Sequence, residues 1–104
     1  MAYPSKYESA QVEILGVPST ARQLTAGSAS SNTALTSTTQ RISMRAVGAD
    51  IRFSIGVGTQ TANGNTSNFI ANGERLDFAV PLGANIAIIR DGTVNGTLEL
   101  TELI

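Results

Sequence analysis

The sequence predicts an all-β protein, an antiparallel and jelly-roll-like two-sheet sandwich of seven to eight short strands behind an extended N-terminal arm. Three observations support this prediction. Apolar and polar residues alternate with a period of two along most of the chain, which is typical of half-buried strands. Turn signals made of Gly, Pro and Asn recur about every ten residues. No segment shows the 3.6-residue period of an amphipathic helix.

The length of 104 residues suits one domain with a modest core. We expect an N-terminal arm over residues 1–10 and a single sandwich domain over residues 11–104. Aromatic residues make up only 5% of the chain, so we expect an aliphatic core. Charged residues make up 14%, well below the usual quarter, and part of the surface is therefore expected to contact another protein.

The composition argues against catalysis, membrane insertion and nucleic-acid binding. The chain contains no Cys and no His, which removes thiolate chemistry, the commonest general base and the commonest metal ligand. No apolar run approaches the ~20 residues of a membrane-spanning helix, and the first residues lack the apolar core of a secretion signal. We therefore expect synthesis in the cytoplasm. A net charge of −1 gives no long-range attraction for nucleic acid.

The arm contains both tyrosines of the chain, Tyr3 and Tyr7, and Pro4 opposes a helix there. One interpretation is a frayed terminus. The other is an arm that becomes ordered on a neighbouring protein, because Tyr provides a large contact area for little conformational entropy. On the second interpretation, Tyr3 and Tyr7 are candidate partner-contact residues.

The next segments alternate less regularly. Residues 11–17 are predicted to form a strand that carries Val12 and Ile14 on one face, and residues 20–25 a short edge strand. Residues 25–40 form an uncharged Ser/Thr-rich loop. This loop is interpreted either as a flexible linker or as a segment that becomes ordered against a partner.

The most regular strand pattern is RISMRAVGADIRFSIGV, residues 41–57. Both halves alternate, and Gly48 between them predicts a tight hairpin. Arg41, Arg45 and Arg52 all fall on the polar face of this predicted hairpin. Because Arg is enriched and Lys depleted at protein interfaces, we expect these three arginines to form a protein contact surface.

Two aromatic residues are predicted to form the centre of the core. Phe53 lies on the apolar face of the predicted central hairpin. Phe78 lies in a strand over residues 74–80, which the turn signal Asn72-Gly73 is expected to join to residues 69–71 as a second hairpin.

The last part of the chain predicts two further strands. Residues 85–90 are apolar on both faces, as expected for a central strand. Residues 96–104 close the domain, and the alternation slips near Thr101, which indicates a β-bulge.

No residue combination satisfies the requirements of a catalytic, cofactor or metal site, and we expect none. Asp50, Asp77 and Glu99 occupy outward strand positions, where cross-strand pairing with arginines is preferred over the paired carboxylates of a glycosidase. Asp91 and Asn95 provide too few carboxylates for calcium, and a plain turn is preferred there.

From Arg41 to Glu102 the chain resembles small virion structural proteins of tailed bacteriophages. The resemblance covers somewhat over half of the chain and includes the stretch SNFIANGERLDFAVPLGANIAIIRDGTVNGTLELTEL. The residues that carry it are Gly73, Phe78, Val80, Pro81, Gly83, Ile86, Ala87, Ile89, Gly96, Leu98, Thr101 and Glu102. The first 40 residues do not share it.

The resemblance implies a capsid decoration (cement) protein on the outer head surface, without catalytic residues. Its implied partners are the major capsid protein and further copies of the same chain in a homotrimer. The first alternative is a structural protein of the head–tail junction, tail or fibre base. A carbohydrate-binding module is a weaker alternative, because sugar sites usually stack an aromatic ring on the sugar and both tyrosines lie in the arm.

Overall fold

The computed structural model describes residues 16–104 and shows eight strands without a helix in that range. The first sheet has the order β1-β8-β3-β6 and the second sheet the order β2-β7-β4-β5, and neighbouring strands are antiparallel. The strands are β1 Pro18–Ala26, β2 Ser31–Ala34, β3 Arg41–Val47, β4 Ile51–Val57, β5 Asn68–Ile70, β6 Arg75–Ala79, β7 Ala84–Arg90 and β8 Gly96–Leu103. The predicted all-β sandwich is confirmed. The arm with Tyr3 and Tyr7 lies outside the described residues, as does most of the strand predicted at residues 11–17.

The core lies between the facing sides of the two sheets. Its largest fully buried apolar side chains come from five strands: Ile42, Met44, Ile51, Ile70, Ile86, Ile88, Leu98 and Leu100. Along β3, β4 and β8 these residues alternate with more exposed ones, as the period-two pattern predicts. The core is aliphatic apart from Phe53, which is 3% exposed. Burial of these side chains is the main favourable contribution to folding.

The hairpin predicted at residues 41–57 is wrong. Strand β3 lies in the first sheet between β8 and β6, whereas β4 lies in the second sheet between β7 and β5. The connection around Gly48 therefore crosses from one sheet to the other. Gly48 has a φ of +92°, and its N–H donates a hydrogen bond to Asn72 Oδ1 at 2.9 Å. An apolar face turned to a shared core produces the same alternation whether the two strands pair or face each other, so the sequence pattern did not distinguish these arrangements.

The second predicted hairpin, at Asn72-Gly73, is wrong for the same reason. Strand β5 pairs with β4, whereas β6 pairs with β3 in the opposite sheet. The turn itself forms: the N–H of Glu74 donates to the carbonyl of Ala71 at 2.8 Å, and Gly73 has a φ of +86°. The Asn-Gly signal thus correctly predicted a turn but not which strands it joins.

Two other strand predictions are confirmed. Strand β1 is an edge strand that includes the predicted residues 20–25, and β7 is an internal strand of its sheet. Residues 25–40, expected as a linker or as a loop ordered by a partner, contain the edge strand β2, which pairs with β7. An edge strand needs a backbone ladder on only one side and few apolar side chains, so a Ser/Thr/Asn segment suffices.

The predicted bulge near Thr101 lies on the neighbouring strand instead. Pro18 is opposite Leu103 and Ala21 is opposite Thr101, so the extra residue belongs to β1. The register of β8 with β3 is continuous. The alternation of β8 in fact persists to Glu102, which occupies an inward position although it is charged.

The predicted aromatic pair forms, but the two rings are not equivalent. The ring centroids of Phe53 and Phe78 are 5.7 Å apart, and Phe78 is 36% exposed. Phe53→Ala is therefore expected to lower the free energy of unfolding by about 3–5 kcal/mol. Phe78→Ala is expected to lower it by only about 1–2 kcal/mol, because part of that ring is already in solvent. Urea titrations of both variants measure these losses, and a larger loss at Phe78 than at Phe53 would contradict the assignment of the core.

Candidate functional site

The structure separates the three arginines that the predicted hairpin placed together. Arg41 and Arg45 lie on the outer face of the first sheet, because they alternate with the buried residues of β3. Arg52 lies on the outer face of the second sheet, because it alternates with the buried residues of β4. The expectation of one continuous arginine surface is therefore wrong, since β3 and β4 belong to opposite sheets. Partner contact by Arg41 and Arg45 stays a prediction.

Arg52 is held by its own chain. Its Nε lies 2.8 Å from Asp91 Oδ1, and its NH1 donates to the carbonyl of Ser67 at 3.0 Å. Its guanidinium carbon also lies 4.8 Å from the centre of the Phe69 ring, within the range of a cation–π interaction. Because the guanidinium group of Arg52 already makes these contacts within the chain, it is less available for contact with a partner than the sequence indicated.

Most of the outer face of the second sheet near β7 is covered by the loop of residues 58–67. The N–H of Gln60 donates to Asn32 Oδ1 at 2.9 Å, and the N–H of Ala62 donates to Ser30 Oγ at 2.8 Å. Ala87, which faces outward between two inward residues of β7, has no exposed surface. This covering layer explains why the sequence of β7 is apolar on both faces, and it leaves that part of the surface unavailable to a partner.

The outward carboxylates have other partners than the sequence predicted. Asp50 Oδ1 accepts a hydrogen bond from the N–H of Asn72 at 2.7 Å, and Glu99 Oε2 accepts one from Gln23 at 3.0 Å. Within residues 16–104, the ion pairs are Arg22–Glu102 and Arg52–Asp91. None of Asp50, Asp77 and Glu99 forms an ion pair with an arginine in this part of the chain. Arg45 does lie directly opposite Glu99 in the pairing of β3 with β8, as the predicted cross-strand arrangement requires.

No group of three or more His, Cys, Asp or Glu side chains that could hold a metal ion occurs in the described part of the chain. Asp91 and Asn95, the two residues weighed as calcium ligands in the sequence, bind other side chains. Asp91 pairs with Arg52, and Asn95 Oδ1 accepts a hydrogen bond from Arg90 at 2.7 Å. That same part of the chain also contains no helix that is long and apolar enough to cross a membrane.

The charged residue that stands out is Glu102, which the sequence indicated only as one of the residues that carry the resemblance and not as a site residue. The Glu102 side chain is 0% exposed, and it points from β8 into the space between the sheets. Its Oε2 lies 2.7 Å from Arg22 Nε on β1. Its Oε1 accepts hydrogen bonds from the Thr39 hydroxyl at 2.5 Å and from the N–H of Thr36 at 3.3 Å. Both threonines belong to the loop that crosses from β2 to β3, so Glu102 connects the two sheets at one edge of the sandwich.

The environment of Glu102 favours the ionised carboxylate. Burial by itself raises the pKa of the Glu102 carboxyl, but the hydrogen bonds from Thr39, Arg22 and Thr36 and the charge of Arg22 outweigh it, and the pKa is lowered from its usual 4.5. The signal in the sequence was the position of Glu102 in the alternation, two residues after the inward Leu100. A charge at an inward position indicates a buried network of charge-assisted hydrogen bonds.

The feature with the strongest binding character lies at the opposite edge of the sandwich. A cleft of about 450 Å³ opens between the edge strands β5 and β6. All three phenylalanines of the chain contribute to its lining, and Phe69 and Phe78 are 42% and 36% exposed. The residues that line it are Phe53, Ile55, Asn68, Phe69, Leu76, Phe78, Ala79 and Pro81. Asn68 is the one residue in this set with a polar side chain. The side chains of the cleft therefore suit an apolar group, while other polar atoms also contribute to its lining.

The cleft is flanked by backbone that can pair further. Strands β5 and β6 end their sheets on the same side, so each presents an edge that no strand of the described chain pairs with. Unpaired N–H and C=O groups on such edges accept an added strand, and adjacent apolar pockets accept its side chains. The sequence analysis missed this site because it depends on which strands become edges, and the hairpin assignments had paired β3 with β4 and β5 with β6.

No protein-family model, curated protein or solved structure matches this chain.

The stability provided by Glu102 is expected to depend on pH. A carboxyl whose pKa is lowered in the folded state stabilises the fold above the unfolded pKa, near 4.5, and this contribution is lost as the pH falls through the lower folded pKa. Glu102→Gln is expected to lower the free energy of unfolding by about 2 kcal/mol at pH 7, because charged hydrogen bonds are replaced by neutral ones. The deficit should shrink towards zero on acidification.

The matched control is Glu99→Gln on the exposed face of the same strand, which should change stability by less than about 0.5 kcal/mol. Urea titrations of the three proteins between pH 7 and pH 2 measure both effects. A deficit for Glu102→Gln that does not change with pH would contradict the ionised state of this carboxyl.

Proposed function

We propose that this chain is a bacteriophage virion structural protein, namely a capsid decoration protein that binds the outer head surface and stabilises the shell. The observation that carries the proposal is the cleft between two free strand edges, lined mainly by apolar side chains. Such a cleft is a docking surface for a protein segment. The assignment to a virion rests on the resemblance described for residues 41–102.

The residues that carry the resemblance occupy positions that specify the fold. Gly73 and Gly83 have φ values of +86° and +72°, which side chains other than Gly rarely adopt. Ile86, Leu98 and Glu102 are fully buried. The resemblance therefore supports a shared sandwich more strongly than a shared binding surface, and the head location is the part of the proposal that most needs a test.

The proposed mechanism is docking without chemistry. A partner segment inserts apolar side chains into the cleft and extends one of the sheets by pairing with β5 or β6. A specific contact of this kind buries on the order of 1,000 Å² or more. Many copies on a symmetric shell, each touching more than one capsid subunit, resist internal pressure together through multivalency.

The electrostatic properties predict how this docking responds to salt. The net charge is −1 and the cleft lining contains no charged residue. Binding driven by apolar burial is screened little by added salt, so we expect weak dependence on ionic strength. This separates the proposal from recognition of nucleic acid, whose affinity falls steeply with salt.

The test uses filled heads from which this protein has been stripped, with wild-type and variant protein added back. Asn68→Asp places a charge in the apolar cleft with almost no change in shape, and we expect at least tenfold weaker binding to heads because an unpaired charge would be buried. Asn65→Asp makes the same change at an exposed loop position and should bind as wild type does. Heads carrying wild-type protein should survive heating that releases the contents of stripped heads.

Two results would contradict the proposal. If Asn68→Asp restores heat resistance as well as wild type, the cleft is not the docking surface. If stripped heads are as heat-resistant as decorated ones and the protein is found in purified tails, the runner-up role at the head–tail junction, tail or fibre base replaces decoration.

A further inference from the structure

The cleft between β5 and β6 has an apolar lining, open strand edges and a volume of about 450 Å³, within the range of functional protein pockets. We propose that its occupant is the segment Ala10–Leu15 of a second copy of this chain, added as a strand to the free edge of β6. The inference concerns contact between copies of the protein when it is not bound to a head, because Ala10–Leu15 and a capsid segment would exclude each other from the cleft. It does not depend on the assignment to a virion.

The sequence of the proposed occupant fits the cleft. Fifteen residues precede the described part of the chain, and AQVEIL is the portion of them with alternating apolar residues. In an added strand, Val12 and Ile14 would share the face that enters the cleft. Gln11, Glu13 and Leu15 would share the opposite face. The strand edge would supply partners for the backbone N–H and C=O groups of the segment.

The charges around the cleft complement this segment. With Val12 and Ile14 turned inward, Glu13 would lie beside the outer face of the first sheet. The outward residues there include Arg41 and Arg45 of β3 and Arg75 of β6, with Asp77 as the one acidic residue on these two strands. Opposite charges on neighbouring strands attract each other. An acidic residue at position 13 of the added strand is therefore more favourable beside these arginines than a basic residue would be.

The point of attachment favours a second copy over the same chain. Val17 and Ile104 exchange backbone hydrogen bonds of 2.8 and 2.9 Å, which places the start of the described chain beside the end of β8. A strand added beyond β6 lies about four strand spacings from this position across β8, β3 and β6, roughly 19 Å at ~4.8 Å each. About six extended residues span that distance. Within one chain, residues 10–15 would be used up in the crossing, whereas in a second copy they are available for the cleft.

The experiment exploits the absence of cysteine from the chain. The full chain is made with Ile14→Cys and Asn68→Cys together, because Asn68 lies on the cleft-facing side of the exposed strand β5. Mild oxidation should produce covalent oligomers linked between positions 14 and 68, as read by non-reducing electrophoresis and peptide mass spectrometry. Mixing the two single variants should produce the mixed dimer.

The matched control pairs Ile14→Cys with Val94→Cys, because Val94 is 62% exposed and lies in the turn between β7 and β8. The proposal is overturned if the 14–68 variant forms only an internal link within a monomer, which would place the segment in its own cleft. It is also overturned if 14–68 links are no more abundant than 14–94 links. Neither result bears on whether the protein is found on heads.

Sedimentation measurements give a second readout that needs no cysteine. Val12→Asp should raise the dissociation constant for self-association at least tenfold, because it puts a charge on the face that enters the cleft. Gln11→Asp, on the opposite face, should leave it within about twofold. Equal effects of the two substitutions would contradict insertion of that face.

Discussion

A carboxylate with no exposure to solvent must find hydrogen-bond donors inside the protein, and this requirement at Glu102 organises one edge of the sandwich. The donors come from Arg22 on β1 and from Thr36 and Thr39 in the loop that crosses between the sheets. None of these groups could move far without leaving the carboxylate unpaired. The path of β1, the end of β8 and the crossing from β2 to β3 are therefore fixed together, and the chain needs no disulfide to hold this edge closed.

The opposite edge has no fully buried charged side chain among the described residues. There the outermost strands β5 and β6 leave a cleft, and the partly exposed rings of Phe69 and Phe78 contribute to its lining. The sandwich thus buries a charged residue near one edge and leaves a cleft at the other. The second sheet is covered near β7 by the loop of residues 58–67, in which Ala62 is 4% exposed.

The strands could be predicted because alternation records which residues face a core, as Ile42 and Met44 show. The assignment of strands to sheets could not be predicted. A connection that crosses between sheets, as at Gly48, and a hairpin turn within one sheet produce the same alternation in the strands on either side. Strand β2 was missed because its side chains are mostly exposed, and it is held by backbone pairing with β7 and by the hydrogen bond from Gln60 to Asn32. The cleft was missed as a consequence, since it exists only because β5 and β6 are edges. The burial of Glu102 could have been predicted from the sequence, because Glu102 continues the series of inward-facing residues in β8.

The closed edge of the sandwich depends most directly on the charge of Glu102, because an uncharged side chain there would give Arg22 no ionic partner and would weaken the link between the sheets. Carbon-13 NMR of the carboxyl groups, recorded through an acid titration of the folded protein, measures that charge at the residue itself. We expect the pKa of Glu102 to lie below the usual 4.5 and the resonances of Thr36 and Thr39 to shift in the same titration. A Glu102 carboxyl that titrates at or above 4.5, with the two threonines unaffected, would contradict it.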